Sequence, residues 1–245
     1  MVEVSIVVPA HNEEGNLPQL VTHLRDLAGK VGDAEIILVD DHSTDQTPRL
    51  VDEYQRTYPN VRAIHRRNGI RGMGNTLKEG TATARGKFVI WTMADLSDDW
   101  GSVPPMLDKL RNGADMVFAS RYMPGGSSGD LESFKRFVSS GFTFASRLFI
   151  GVPVHDITNA YRGFRREVYD KIRPEAGDFA ISPEFALKAQ LAGYKLDEVP
   201  TTYAKRQKGV ANFRIFKMAR RYFGMFVKAN LTWRFQMSGL AQKAS

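Results

Sequence analysis

An alternation of periods through the first half constrains this 245-residue chain more than any other feature. VSIVVP (4–9), EIILVDD (35–41), VRAIHR (61–66), KFVIWTMAD (87–95) and ADMVFASR (114–121) are apolar runs of strand length. Residues 16–28, 46–57, 73–84 and 102–112 between them carry helical spacing. Strand and helix in turn, with strands apolar on both faces, predict a mostly parallel α/β sheet covered by helices on each side. Ligands of such sheets bind beyond the carboxyl ends of the strands. The polar clusters PAHNEE, DDHSTD, RRNGIRGMG and ADLSDD fall at those ends. Past residue 121 the regularity weakens. MPGGSSGD (123–130) has the composition of a loop, helical patterns follow at 131–150, 165–172 and 182–193, and VPTTYAKR (199–206) reads as a last strand.

The net charge of +7 is unevenly placed. From Val199 onward there are ten Lys or Arg and no acid, whereas residues 1–198 hold 24 bases against 27 acids. The tail therefore calls for an anionic partner, nucleic acid or an acidic membrane surface. Between Phe213 and Phe235, helical projection puts Arg214, Lys217, Arg220, Arg221 and Lys228 on one arc. Ile215, Met218, Ala219, Tyr222, Met225 and Phe226 occupy the other. Such a helix suits a membrane interface, and it equally suits packing on its own domain with the bases in solvent. No nucleic-acid motif accompanies the bases, which argues against that partner. With no cysteine there is neither a disulfide framework nor a thiolate metal site. The N-terminus has no secretory pattern, and GFTFASRLFIGVPV is too short, and broken by Arg147, to span a bilayer. A cytoplasmic protein, peripheral on the membrane face, is the resulting expectation.

At the strand ends, Glu13 and Asp40 can accept hydrogen bonds from base or ribose. Asp95 can share a divalent cation with substrate phosphates, and Arg121 can add positive charge. Asp98 and Asp99 have the position of helix caps ahead of GSVPPML. RNGIRGMGN has neither the G-x-x-x-x-G-K-[ST] nor the G-x-G-x-x-G spacing, so it is no mononucleotide or dinucleotide fingerprint.

VSIVVPAHNEEGNLP, ILVDDHSTDQT, RGMGNTLKEGTATARGKFVIWTMADLSDD, FASRYMPGG, DITNAYRGFRREV and SPEFALKAQLAGYKLDEVPTTYAKRQKG follow one another in an order that resembles glycosyltransferase family 2. Within it, the polyprenyl-phosphate sugar synthases are the most similar group, over about Val4 to Phe213. The resemblance implies a GT-A type nucleotide-sugar-binding domain over residues 1–211 followed by a basic helical segment, 212–245. It implies an inverting transfer of a hexose, of mannose or glucose type, from a nucleotide-diphosphate sugar to a polyprenyl (dolichyl-type) phosphate. Pro9, His11, Glu13, Asp40 and Ala94 would contact the nucleotide, with His11 where tyrosine is usual. Asp95 would hold Mg²⁺ or Mn²⁺; Arg121, Lys135 and Arg206 would gather phosphates; Ser139 would lie near the acceptor phosphate. Met93 departs from the family pattern, because its D-A-D is here M-A-D. A thioether is a poor ligand for a hard cation. That leaves three arrangements: Asp95 with diphosphate and water, help from Asp98 or Asp99, or a site that works without metal. A soluble acceptor and a non-catalytic nucleotide-sugar-binding protein are the competing readings.

Overall fold

The structure is a computed structural model that describes residues 2–204 and 215–244. Seven strands form one sheet in the order β3-β2-β1-β4-β6-β5-β7. They are β1 (Val4–Ala10), β2 (Ala34–Asp41), β3 (Val61–Arg66), β4 (Phe88–Trp91), β5 (Met116–Ser120), β6 (Arg162–Arg165) and β7 (Leu196–Pro200). All pairings are parallel except those of β6, which runs antiparallel between β4 and β5. Helices α1 (Leu17–Val31), α2 (Thr47–Thr57), α3 (Met73–Thr83), α4 (Val103–Arg111), α5 (Ser133–Ile150), α6 (Arg166–Ile172), α7 (Ile181–Leu191) and α8 (Ile215–Ala244) complete the chain.

The apolar strands are buried on both faces because helices cover both. Val4, Ile6 and Val8 of β1 pack with Leu20 and Leu24 of α1 and Met106 and Leu110 of α4. Val7 joins Val39, Leu77 of α3, Trp91 and Phe185 of α7 on the other face. Trp91 anchors that second layer through edge contacts to Phe164 at 5.0 Å and Tyr169 at 6.3 Å, and its indole N–H donates to Thr81 Oγ1 at 2.8 Å.

Three expectations need correction. The strand expected over 87–95 ends at Trp91, because Thr92 to Asp95 leave the sheet to build the site. The last strand is 196–200 rather than 199–206, its register set by β5, which pairs Met116 with Leu196 and Ser120 with Pro200. Strand β6 was not anticipated: RGFR is too short and too basic to show a strand pattern, and only β4 and β5 supply its partners. Gly163 gives the Ile90 and Met106 side chains room there, since a Cβ would lie 2.7 Å from Ile90 Cδ1 and from Met106 Sδ and make them shift.

Helix α8 packs on α5 and α7. Tyr222 and Ala229 are buried, and Met225, Phe226 and Trp233 lie partly buried against the same core. The apolar arc read from the sequence thus faces the domain where its side chains are described. The opposite arc is not purely basic. Phe223, Val227, Leu231 and Phe235 are exposed on it among Arg220, Lys228 and Arg234.

Candidate active site

The carboxyl ends of β1, β2 and β3 form one polar corner. Asn12 and His42 both have positive φ (55° and 58°), turning the two loops toward each other. The loops are then tied: the amides of Asn12, Glu13 and Glu14 donate to Ser43 Oγ (3.0 Å), Thr47 Oγ1 (2.8 Å) and Asp45 Oδ2 (3.1 Å). Thr44 N donates back to Asn12 Oδ1 at 2.8 Å. Buried Glu13 is oriented by Asn16, whose Nδ2 donates to Oε2 at 2.6 Å. His11 donates from Nδ1 to Asp41 O (2.8 Å), which leaves Nε2 to accept from Arg71 Nη1 (2.7 Å). Pro9 is buried at the end of β1.

Asp40 sits beside His65 in the β2–β3 register and is fully buried. Burial opposes its ionisation, but Ser43 N, His65 Nδ1 (3.1 Å) and Arg67 Nη1 (2.6 Å) overcome that and hold its pKa below the ordinary value. His65 is shifted upward: burial disfavours its cation, while Asp52 (2.8 Å) and Asp40 favour it more. Asp41 is structural. It pairs with Arg66 and accepts from Gly72 N at 2.8 Å, which fixes the entry to α3. That entry is pressed onto the 176–178 loop, where a Cβ on Gly74 would meet Ala176 O at 2.4 Å. Glu184 holds the same loop by accepting from the amides of Glu175 (2.9 Å) and Ala176 (2.7 Å).

The second part of the site is a cavity of about 210 Å³ lined by Met93, Asp95, Asp98, Arg121, Lys135 and Ser139, among others. Asp95 Oδ1 accepts from Ser97 N (3.2 Å) and Oγ (2.6 Å) in a turn that Leu96 enters with φ 62°. Asp99 is a cap, accepting from Gly101 N at 2.9 Å. Asp98 is not one, contrary to expectation. It folds back under β4, where Oδ2 accepts from Thr92 Oγ1 (2.8 Å) and Met93 N (2.9 Å). Enclosure, and next the charge of Asp95, push its pKa up to about 7.

Arg121 is buried against Asp156, with Nε to Oδ2 at 2.7 Å and Nη2 to Oδ1 at 3.2 Å, and it also donates to Thr158 Oγ1 at 3.1 Å. Asp156 carries no exposed surface, and the arginine keeps its pKa low against burial. Lys135 and Ser139 stand one turn apart on α5 and line the same cavity. Lys135 pairs with Glu132 at 3.1 Å, and Ser139 Oγ meets the Tyr122 hydroxyl.

Asp95, Arg121, Lys135 and Ser139 thus converge, and Pro9, His11, Glu13 and Asp40 gather in the adjoining corner. Ala94 is buried in the core beneath the turn. Arg206, Arg214 and the Lys217 side chain lie outside the described residues. Asp156 was missed as a site residue, although it stands inside the DITNAYRGFRREV motif. His65 and Arg71 were missed as well, since only strand register and loop docking bring them in.

Residues 5–173 match the family model for glycosyl transferase family 2. The chain belongs to that family. It is 32% identical over 212 residues to polyprenol monophosphomannose synthase of Mycolicibacterium smegmatis, covering 84% of this chain and 79% of that protein. It is 29% identical over 228 residues to dolichol-phosphate mannosyltransferase of Pyrococcus furiosus, covering 90% and 63%. Its fold is similar to that of glucosyl-3-phosphoglycerate synthase from Mycobacterium tuberculosis, crystallised with Mn²⁺, UDP and phosphoglyceric acid (TM-score 0.68, 17% identity, 94% of this chain and 78% of that one). S. aureus TarS with UDP-GlcNAc gives 0.65 at 16% identity, over 93% and 66%.

The donor set of this glycosyltransferase fits a hard cation in one manner. Among the described residues no group of three His, Cys, Asp or Glu could hold a metal. Asp95 provides one carboxylate beside the cavity, and Mg²⁺ is commonly bound by one or two carboxylates with substrate phosphates completing its shell. The thioether of Met93 adds nothing to such a site.

Proposed function

We propose that this glycosyltransferase moves a hexosyl group, with inversion, from a nucleotide-diphosphate sugar to a polyprenyl phosphate at a membrane surface. Helix α5 carries the reading. Lys135 and Ser139 face the cavity, while Phe137, Phe144 and Leu148 on the far side of the same helix are 74%, 67% and 64% exposed. One helix thereby offers a phosphate-gathering face and a lipid-facing face. The exposed Phe223, Leu231 and Phe235 of α8, interleaved with Arg220 and Arg234, extend the apolar face and supply charge for anionic lipid. The names of the two curated relatives point to the same acceptor class. No helix among the described residues is long and apolar enough to cross a membrane.

The chemistry asks little of the protein beyond alignment and charge. A phosphate monoester oxygen attacks the anomeric carbon, and the bond from that carbon to the diphosphate breaks, leaving its electron pair on the departing phosphate. The attacking oxygen is already anionic, so no general base is needed. Glu184, the acid of α7, is committed to the 175–176 amides and to Lys188. Arg121, Lys135 and Asp95 with Mg²⁺ or Mn²⁺ would neutralise the diphosphate, and the polar corner around Asp40, Glu13 and His11 would hold the nucleoside.

Purified protein, vesicles containing polyprenyl phosphate and labelled GDP-mannose or UDP-hexoses, with Mg²⁺ or Mn²⁺, should yield a chloroform-soluble labelled product. Absence of that product across the donor panel defeats the proposal. Phe137→Glu with Phe144→Glu should abolish vesicle binding and lipid transfer together.

A further inference from the structure

Part of the cavity lining is charged and already assigned to phosphates. The remainder is mostly apolar, from Met73 and Met93 to Val138 and Phe179, and among its few neutral polar groups two hydroxyls stand out. Ser182, at the start of α7, is 1% exposed, and its Oγ has no hydrogen-bond partner among the described residues. Tyr222, from α8, is 5% exposed, and its hydroxyl likewise makes no hydrogen bond among the described residues. The neighbouring Thr158 and Asn159 are satisfied, by Asp156 Oδ1 at 2.9 Å and Ala119 O at 3.0 Å. Ser182 Oγ is a buried hydroxyl, and without a partner it costs free energy that a ligand's hydrogen bond would offset; the Tyr222 hydroxyl is not among the enclosed polar atoms and carries no such cost.

Location suggests the ligand. Arg121, Ser182 and Tyr222 line the same cavity. A donor diphosphate gathered by Arg121 would carry its sugar into this cavity, because the anomeric carbon is bonded directly to that diphosphate. Alcohol and phenol groups both donate and accept, which matches sugar hydroxyls. The phenol ring itself is held in place by Phe142, with centroids 5.0 Å apart.

We propose that Ser182 Oγ and Tyr222 OH form a subsite that reads hydroxyls of the donor hexose, which makes α8 a specificity element of the active site. The inference rests on the glycosyl-transfer reading above.

The test compares wild type with Ser182→Ala and Tyr222→Phe, using the nucleotide sugar that wild type turns over, its monodeoxy analogues, and the bare nucleoside diphosphate. Wild type should prefer the full sugar over the analogue lacking the contacted hydroxyl by about tenfold in kcat/KM, as one hydrogen bond warrants. Each variant should lose that preference at its own ring position, to within about twofold of unity, while the Kd of the nucleoside diphosphate stays unchanged. Variants that keep every wild-type preference overturn the subsite. So does a uniform loss across all analogues accompanied by a lower Tm, which is what packing alone would give. If wild type itself turns over no nucleotide sugar, the glycosyl-transfer reading falls and takes the subsite with it. Ser182→Ala is decisive on its own should Tyr222→Phe disturb the helix.

Discussion

Two aspartates, each at a strand end of one sheet, have opposite electrostatic fates. Asp40 is fully buried, which opposes its ionisation, yet the hydrogen bonds of Ser43, His65 and Arg67 and the charge of Arg67 hold its pKa below the ordinary value. Asp98 accepts two neutral hydrogen bonds, from Thr92 and Met93, and faces Asp95, so it is held toward its protonated form near pH 7. Desolvation acts on both; the neighbours decide the outcome. The corner around Asp40 is a network of hydrogen bonds and ion pairs among its own side chains and loop amides. The cavity around Asp98 keeps unmatched polar groups and a repelling pair of acids, which suits a region that binds charged substrate.

The contrast can be broken most severely at Asp95. Asp95→Asn should lower lipid-linked transfer about 10² to 10³-fold, the range seen when a group stabilising transition-state charge is removed, with the product measured by solvent partition. Asp156→Ala comes next. It leaves Arg121 buried without its carboxylate and should cost about 3 to 5 kcal/mol of stability, read by denaturant unfolding. In the polar corner, Asp40→Asn should weaken nucleoside diphosphate binding by about tenfold, on the order of one charge-assisted hydrogen bond, as seen by calorimetry, without removing transfer at saturating donor.

Two pH tests sharpen the comparison. A carboxyl whose pKa is raised on folding, from 3.8 to about 7 for Asp98, favours the folded state at low pH and loses that contribution as pH rises between those values. Asp98→Asn should therefore gain Tm relative to wild type as pH goes from 5 to 8, and a constant difference would contradict the assignment. His65 is also raised, so its ion pairs contribute below its unfolded pKa and fade as pH rises through the folded value. His65→Gln should flatten a smaller slope in Tm above about pH 6.5.

Much of the fold was legible because periodicity is local. Strands β1 to β5 and helices α1 to α7 could be placed to within about four residues at either end, since burial on two faces forces continuous apolar runs and burial on one face forces helical spacing, whereas β7 lies three to six residues ahead of its expected bounds. Strand β6 was not legible, because RGFR earns its place only through β4 and β5. Among site residues, Asp95 and Arg121 were visible as polar groups at strand ends, and the family resemblance supplied Lys135 and Ser139. Asp156 and His65 were not visible as partners of Arg121 and Asp40, because 35 and 25 residues separate the pairs.

The sequence alone determined a mostly parallel sheet with polar clusters at the carboxyl ends of the strands, since each strand and helix signal is written within a few residues. Only the tertiary structure decided which carboxylate is charged, and which arc of α8 is covered. It turned Asp98 from a helix cap into a half-buried brace beneath Met93. It also brought Tyr222 into the cavity while leaving Phe223 outside. Charge state and exposure depend on partners from distant segments, and no local pattern records them.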